Sequence, residues 1–352
     1  MKLQVDIKKT LGDFTLRSKF EIDNDCFAIL GSSGSGKTLT LKCIAGIIKP
    51  DEGRIVLDDK VLFDSEEKIN VPTKDREIGF LFQDYALFPN MTVRQNIDCV
   101  AKEKTEVDEV IDKFGLSDVK DLYPSQISGG QSQRTVIARM LMTKPKMIML
   151  DEPFSALDNY LQFRIEQELF NIIGDFDGPI LMVSHDRNEV YRLASTIGVM
   201  DEGTLTNIQD KNHFFENPKS VVATRLSGCK NISRIEKIGD EKYKALDWDI
   251  NLEIPKGLAE SDINYVGFRA HYFEMTNEPN DYNTFKCVTE RVIEDTFSIT
   301  ICFKQIDNKS NSPDALLTWI VSKPKWDKVR EYINHDYYYL KMNPKDLILL
   351  ER

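Results

Sequence analysis

The chain lacks an apolar run near the roughly 18 residues that a membrane-spanning helix requires. Its best apolar stretches, Cys26–Leu30, Met147–Leu150 and Ile180–Val183, suit buried strands instead. It also lacks paired cysteines. The six present, at 26, 43, 99, 229, 287 and 302, are scattered without a CxxC, which points to reduced thiols in a cytoplasmic protein. No low-complexity tract appears. The opening Met1–Asp6 runs straight into apolar alternation, so no signal peptide is expected. Positive charge is short as well. Lys plus Arg is 46 against 57 for Asp plus Glu, a net −11, which argues against coating nucleic acid or anionic lipid by charge alone. What remains is 352 residues, 41% hydrophobic and 29% charged, the composition of a globular protein with room for about two domains.

Residues 1–30 alternate apolar and polar (Leu3, Val5, Ile7, then Phe14, Leu16, Phe20, Ile22), a period of two that predicts antiparallel strands. Phe27–Leu30 reads as a continuous buried strand, followed by a Gly/Ser loop and a helix over Thr38–Ile48. Pro50–Gly53 reads as a turn, and Arg54–Leu57 and Ile78–Phe82 as strands. Residues 92–143 read as mostly helical, most clearly Glu106–Phe114 and Gln131–Thr143. Met147–Leu150 and Ile180–Val183 have the wholly apolar texture of strands buried on both faces of a parallel sheet, with a helix over Leu157–Ile173 between them. Ile197–Met200 and Leu205–Ile208 form a hairpin around Glu202-Gly203. Beyond residue 228 come only short alternating segments: Lys242–Leu246, Tyr265–Phe268, Phe285–Ile293, Ser298–Phe303, Leu316–Val321, Tyr337–Lys341 and Leu347–Leu350. These predict a small β domain, with the boundary within 218–230.

Gly31-Ser32-Ser33-Gly34-Ser35-Gly36-Lys37-Thr38 matches G-x-x-x-x-G-K-[ST] and stands between an apolar strand and a helix, where a phosphate loop must stand. Backbone N–H groups of such a loop wrap phosphates, and the helix start adds its positive end. Lys37 is placed to reach the β/γ-phosphates of a nucleotide and Thr38 to ligate Mg²⁺. Met147–Leu150 ends in Asp151-Glu152. Alone, such a pair is an ordinary solvated strand end. Beside a phosphate loop, Asp151 suits Mg²⁺ and Glu152 suits polarisation of an attacking water. Ile127-Ser128-Gly129-Gly130-Gln131 precedes a helix and offers a hydroxyl, bare amides and a helix start. By itself this is a cap and turn; with the first loop it suggests a nucleotide gripped from two sides.

Taken in order, the phosphate loop, Gln83 after Phe80–Phe82, Ile127–Gln131, Asp151-Glu152-Pro153, Ser155–Asp158 and Ser184-His185-Asp186 resemble the motifs of the ATP-binding-cassette (ABC) ATPases over residues 1–227. The resemblance implies an α/β fold: a P-loop ABC ATPase domain with a mixed sheet and a helical subdomain at about 88–145, then a small all-β, barrel-like accessory domain over 228–352. It implies ATP and Mg²⁺ as ligands. The phosphate grip would be Gly31, Ser32, Ser33, Gly34, Ser35, Gly36, Lys37 and Thr38, with Thr38, Gln83 and Asp151 at the metal and Glu152, His185 and Gln83 in catalysis. It further implies a head-to-tail dimer in which Ser128, Gly129, Gly130 and Gln131 of a second copy face the phosphate loop and Asp158 crosses the interface. Leu11 stands where the family usually stacks an aromatic residue on adenine; Phe14 either serves in its place or packs in the core.

Phe82–Ile97 looks like the segment of importer ATPases that receives a permease helix. Thr10–Gly12, Gly53–Leu57 and Val61–Arg76 resemble the molybdate importer ATPases in particular, and Gly228–Ile232 and Gly267–His271 resemble the β-barrel accessory domain of the molybdate, sulfate and sugar groups. The expected function is therefore the ATP-hydrolysing subunit of an oxyanion importer, molybdate or tungstate first, held at the cytoplasmic face of the membrane by permease subunits. A solute-binding protein would be an indirect partner, and nucleic acid no partner. The alternatives are an importer of sulfate, sugar or another solute, or a soluble ABC ATPase without a permease. The accessory domain is expected to pair with its copy, either as a spacer that only holds the two ATPases together or also as an oxyanion site, for which Lys230, Asn231, Ser233 and Arg269 are the candidates by chemistry alone, each equally open to being plain surface.

Overall fold

The structure, a computed structural model, describes residues 1–101, 103, 105–155, 159–258, 263–310 and 312–351. Its contacts divide it into two units, Met1–Lys211 and Asn212–Arg352.

The first unit opens with strands β1 (Leu3–Leu11) and β2 (Phe14–Ile22), antiparallel from Leu3↔Ile22 to Leu11↔Phe14. The alternation works as read: Leu3, Val5, Ile7, Leu16 and Phe20 are buried. β3 (Cys26–Leu30) leads through the glycine loop into α1 (Lys37–Ile44). Then come β4 (Glu52–Leu57), β5 (Lys60–Asp64), β6 (Ile69–Asn70) and β7 (Ile78–Leu81). Helices α2 (Val93–Asp98), α3 (Glu106–Lys113) and α4 (Gly129–Met142) follow. β8 (Met147–Asp151), α5 (Asn159–Asp175), β9 (Ile180–Ser184), α6 (Arg187–Leu193), β10 (Thr196–Asp201) and β11 (Thr204–Asp210) complete the unit.

These strands form one mixed sheet in the order β6-β5-β4-β1-β2-β11-β10-β3-β9-β8-β7. The block β10-β3-β9-β8-β7 is parallel, and every residue of β3, β8 and β9 is buried. Parallel strands end along one edge, and the loops that follow them open there. Leu30 pairs with Ser184, Val183 with Asp151, and Leu150 with Leu81. The residues just past these strands are the phosphate loop, His185, Glu152 and Gln83. Four segments far apart in sequence therefore meet at one edge.

Two local readings need correction. The first helix ends at Ile44, not at 48, because Gly46 turns the chain at φ +77° and the guanidinium of Arg76 donates to the carbonyls of Cys43 and Ile44 at 3.2 and 2.6 Å. Glu52 and Gly53 already belong to β4 rather than to a turn. The helix expected from Leu157 is α5, and Ala156, Leu157 and Asp158 lie outside the described residues.

The second unit starts with short helices, α7 (Lys211–Glu216, beginning on the last residue of the first unit) and α8 (Val221–Leu226). Next are β12 (Asn231–Lys237), β13 (Lys242–Ala245), β14 (Ile250–Glu253), β15 (Tyr265–Phe268), β16 (Glu274–Met275), β17 (Thr284–Glu294), β18 (Ser298–Gln305) and β19 (Leu317–Ser322). α9 (Trp326–Ile333), β20 (Tyr338–Lys341) and β21 (Leu347–Leu350) end the chain. Two antiparallel sheets result, β14-β13-β12-β15-β21 and β16-β20-β17-β18-β19, around one core that includes Trp248, Phe268, Phe273, Phe285, Phe303 and Trp319. The α9 helix departs from the all-β reading; Val329 is buried and Trp326 and Ile333 pack on the core, the spacing of one helix face.

Candidate active site

The site is built on the turn after β3. Gly31 tolerates no side chain, since a Cβ there would lie 2.4 Å from the Met200 carbonyl oxygen. Gly36 caps α1 in the left-handed region at φ 111°, a conformation that a Cβ would strain. These two constraints let the loop curl so that Ser32, Ser33 and Gly34 are exposed while Ser35 and Lys37 are buried. The Ser35 hydroxyl oxygen is buried with no hydrogen-bond partner, an unmet polar group of the kind an anionic ligand satisfies. Lys37 donates to the carbonyl oxygens of Gly31 and Ser32, both at 2.9 Å. Burial lowers its pKa, and the carboxylates of Glu152 and Asp151 oppose that shift.

Asp151 is the last residue of β8 and is buried; its Oδ1 accepts from the Thr38 hydroxyl at 2.8 Å. Desolvation raises its pKa, and the Thr38 hydrogen bond opposes this. Glu152 adopts φ 44°, uncommon for a residue with a side chain, and its N–H donates to the Val183 carbonyl at 3.0 Å. That sharp turn brings its carboxylate to 4.0 Å from the Lys37 ammonium and 3.2 Å from Nδ1 of the largely exposed His185. Gln83 is exposed, two residues past the end of β7.

Ser128 caps α4. Its hydroxyl accepts from the Gln131 N–H at 3.3 Å, and the Gln131 side-chain oxygen accepts from the Ser128 N–H at 2.9 Å. Ser128 and Gly129 are exposed and Gly130 is buried. Gln133, one turn on, donates to the Pro153 carbonyl at 2.7 Å, so this helix start is fastened to the segment just past Glu152. The structure thus gathers Lys37, Thr38, Asp151, Glu152 and His185 into one contact network, with Gln83 at the same sheet edge. Ser128–Gln131 are bonded among themselves. Asp158 lies outside the described residues.

Two features escape a motif reading. Phe14 is a strut: a Cβ on Gly36 would lie 3.1 Å from its ring and one on Gly203 3.0 Å, so its ring is wedged between the phosphate loop and the β10–β11 turn. Leu11, at the neighbouring hairpin turn, is half exposed. The second feature is the buried Glu189, whose carboxylate accepts from the Ser184 hydroxyl at 2.6 Å directly behind His185.

In the second unit, Asn231 bonds Phe268 and Thr318, Ser233 bonds Arg234 and Asp247, and Arg269 bonds the carbonyls of Phe215 and Ser227. Three of the four residues considered for an oxyanion are thus engaged in holding the sheets and the α7–α8 segment; Lys230 is exposed.

Residues 19–155 match the family model described as ABC transporter. A molybdenum import ATP-binding protein of Vibrio parahaemolyticus is 32% identical over 80% of this chain and 85% of its own length. One from Haemophilus influenzae is 39% identical over 58% of this chain and 59% of its own length. A trehalose/maltose import ATP-binding protein of Thermococcus litoralis is 34% identical over 67% of each chain. Among solved structures, a dimeric ATP-binding cassette in a post-hydrolysis state with ADP and phosphate superposes with a TM-score of 0.51 at 26% identity, covering 60% of this chain and 99% of that one.

Proposed function

We infer, from the ABC transporter family to which this chain belongs, that it is the ATP-hydrolysing subunit of a molybdate importer. The observation that carries the chemistry is the bridge of Glu152 between Lys37 and His185, beside the Thr38–Asp151 bond at the end of the phosphate loop. Import of molybdenum is supported by relatives from several bacteria, one matched along most of its length.

ATP is the substrate. The loop amides and the Ser35 hydroxyl receive its phosphates, and Lys37 exchanges its loop carbonyls for the β/γ-phosphates. Water attacks the terminal phosphorus: a P–O bond to water forms, the bond to the bridging oxygen breaks, and ADP carries that electron pair away. Glu152 orients the water and receives its proton. His185 contacts the terminal phosphate. The hydroxyl of Thr38, the carboxylate of Asp151 and the amide oxygen of Gln83 form an all-oxygen donor set, the kind that suits Mg²⁺. When bound, Mg²⁺ neutralises charge developing on the phosphate oxygens. Gly31–Thr38 of one copy and Ser128–Gln131 of a second copy would close around one nucleotide, with Asp158 at the interface; a related cassette is dimeric with ADP and phosphate. In this reading 1–227 is the ATPase and 228–352 an accessory domain that pairs with its copy.

Among the described residues no helix is long and apolar enough to cross a membrane. From its similarity to import ATP-binding proteins, we place the chain at the cytoplasmic membrane face, docked through Phe82–Ile97 to permease subunits that a solute-binding protein loads. The test is ATP-dependent uptake of labelled molybdate by the chain assembled with its co-purifying permease. Molybdate uptake, lost with Glu152→Gln, supports the reading. Uptake of maltose or sulfate alone replaces the solute, and failure to recover any integral membrane protein removes the transport role.

A further inference from the structure

We propose that Glu189 is a positioning residue for His185: through the Ser184 hydroxyl it fixes the Ser184–Asp186 turn and so keeps His185 Nδ1 against Glu152. The proposal rests on the reading of His185 as a phosphate contact. Ser184 is the last residue of β9, Asp186 caps α6, and His185 is the single residue between them. Its side chain is largely exposed, and its bond to Glu152 at 3.2 Å depends on how the backbone presents it. The turn is held from behind by a short relay. The Asp186 N–H donates to Ser184 Oγ at 2.9 Å, and Ser184 Oγ donates to the Glu189 carboxylate at 2.6 Å. Both Ser184 and Glu189 are buried, at 1% and 6% exposure, so water competes poorly for either bond.

The relay has a direction. An ionised Glu189 only accepts, which commits the Ser184 proton to it and leaves the Ser184 lone pairs to the Asp186 N–H. A protonated Glu189 can donate instead, releasing the Ser184 proton toward the Asp186 carbonyl 3.5 Å away and loosening the turn. Burial pushes the Glu189 carboxyl up to about 7, with Asp186 and Glu166 acting in the same direction and the Ser184 hydroxyl and His185 opposing. Glu166, from α5, is itself paired with Arg192 on α6. The ionised, turn-holding form is thus the one that fades as pH falls through neutrality.

The test uses the full chain with Glu189→Met, Ser184→Ala and His185→Ala. Glu189→Met, which keeps the bulk and removes the acceptor, should lower kcat at least about tenfold while KM for ATP stays within about twofold, the split expected of misplacement rather than lost binding. It should also flatten the part of the kcat profile that falls below about pH 7 in the wild type. Of the four histidines, only the His185 ring resonances should move in its NMR spectrum. Ser184→Ala, the smaller change, should reproduce the kcat loss and carries the test if Glu189→Met does not fold. Wild-type kcat, pH profile and His185 resonances in both variants, with His185→Ala inactive, would overturn the positioning role and leave the His185 reading standing. Full turnover by His185→Ala would overturn that reading and this proposal together.

Discussion

At the residue scale, the site is a set of buried charges held ready for a more highly charged ligand. Asp151 shows it best. It is 3% exposed, with desolvation dominating its upward shift. A carboxyl raised in the folded state favours folding while it is neutral, and that contribution is lost as pH rises through the folded value. Ionised in its buried place, Asp151 therefore costs stability. Asp151→Asn, which still accepts from Thr38, should melt at or above the wild-type temperature without nucleotide and have lost its ATPase activity; scanning calorimetry paired with a turnover assay checks both. A clear drop in melting temperature would show the carboxylate to be structural. In the proposed reaction Glu152 receives the proton of the attacking water. Glu152→Gln should keep ATP affinity, since Lys37 and the loop remain, and lower kcat by at least about a hundredfold. Binding titration and phosphate release measure the two, and near-normal release would remove Glu152 from the water. Lys37, Asp151 and Glu152 were legible because their motifs are contiguous and flanked by apolar strands. The Ser184–Glu189 pair was not: a spacing of five fits no helical or strand period, and only the β9–α6 turn brings it together.

At the element scale, legibility followed burial. β3, β8 and β9 are buried on both faces, so their unbroken apolar runs stood out in sequence. β12 was missed because Asn231 and Ser233 are buried and polar, satisfied by Thr318, Phe268 and Asp247, which breaks its alternation. α9 was missed because eight residues between strands show little more than two turns of period. The overrun of α1 has a tertiary cause: its end is set by Arg76, a side chain more than thirty positions away and fully buried. That guanidinium also donates to the Val71 carbonyl and the Asn70 side chain, so it ties the end of α1 to the β6–β7 connection with no carboxylate partner among the described residues. Arg76→Leu would remove the donor to the Ile44 carbonyl, at about 1–3 kcal/mol, while the Cys43 carbonyl keeps the Gly46 N–H at 3.1 Å. Urea denaturation should show a loss of about 1–3 kcal/mol on that basis. A change under about 0.5 kcal/mol, the range of an ordinary surface substitution, would mean the Ile44 carbonyl finds another partner.

At the scale of the whole molecule, the site looks unfinished in one copy. Ser32, Ser33 and Gly34 are exposed on the phosphate loop, and Ser128 and Gly129 are exposed at the start of α4. Each is a place where backbone N–H groups at a helix start suit phosphate oxygens. Within the chain, Ser128 and Gln131 spend their bonds on each other, and the helix start is anchored by Gln133 to Pro153 rather than folded over the loop. Two copies related by a two-fold axis would present the α4 start of each to the loop of the other, and the contact would occur twice. Cysteines at Ser33 and Ser128 test this, in a background where the exposed Cys99 is replaced by serine. With Glu152→Gln to prevent turnover, oxidation in ATP should convert the chain to a covalent dimer on a non-reducing gel. Each single-cysteine variant alone should stay monomeric on the same gel. ATP should be required, because the phosphates supply the charge that both N–H clusters face. Loss of both thiols without a dimer band would place Ser33 and Ser128 of one chain together and contradict the shared site. A dimer band equally strong without nucleotide would show a contact that ATP does not assemble, and would sever pairing of the two copies from the chemistry.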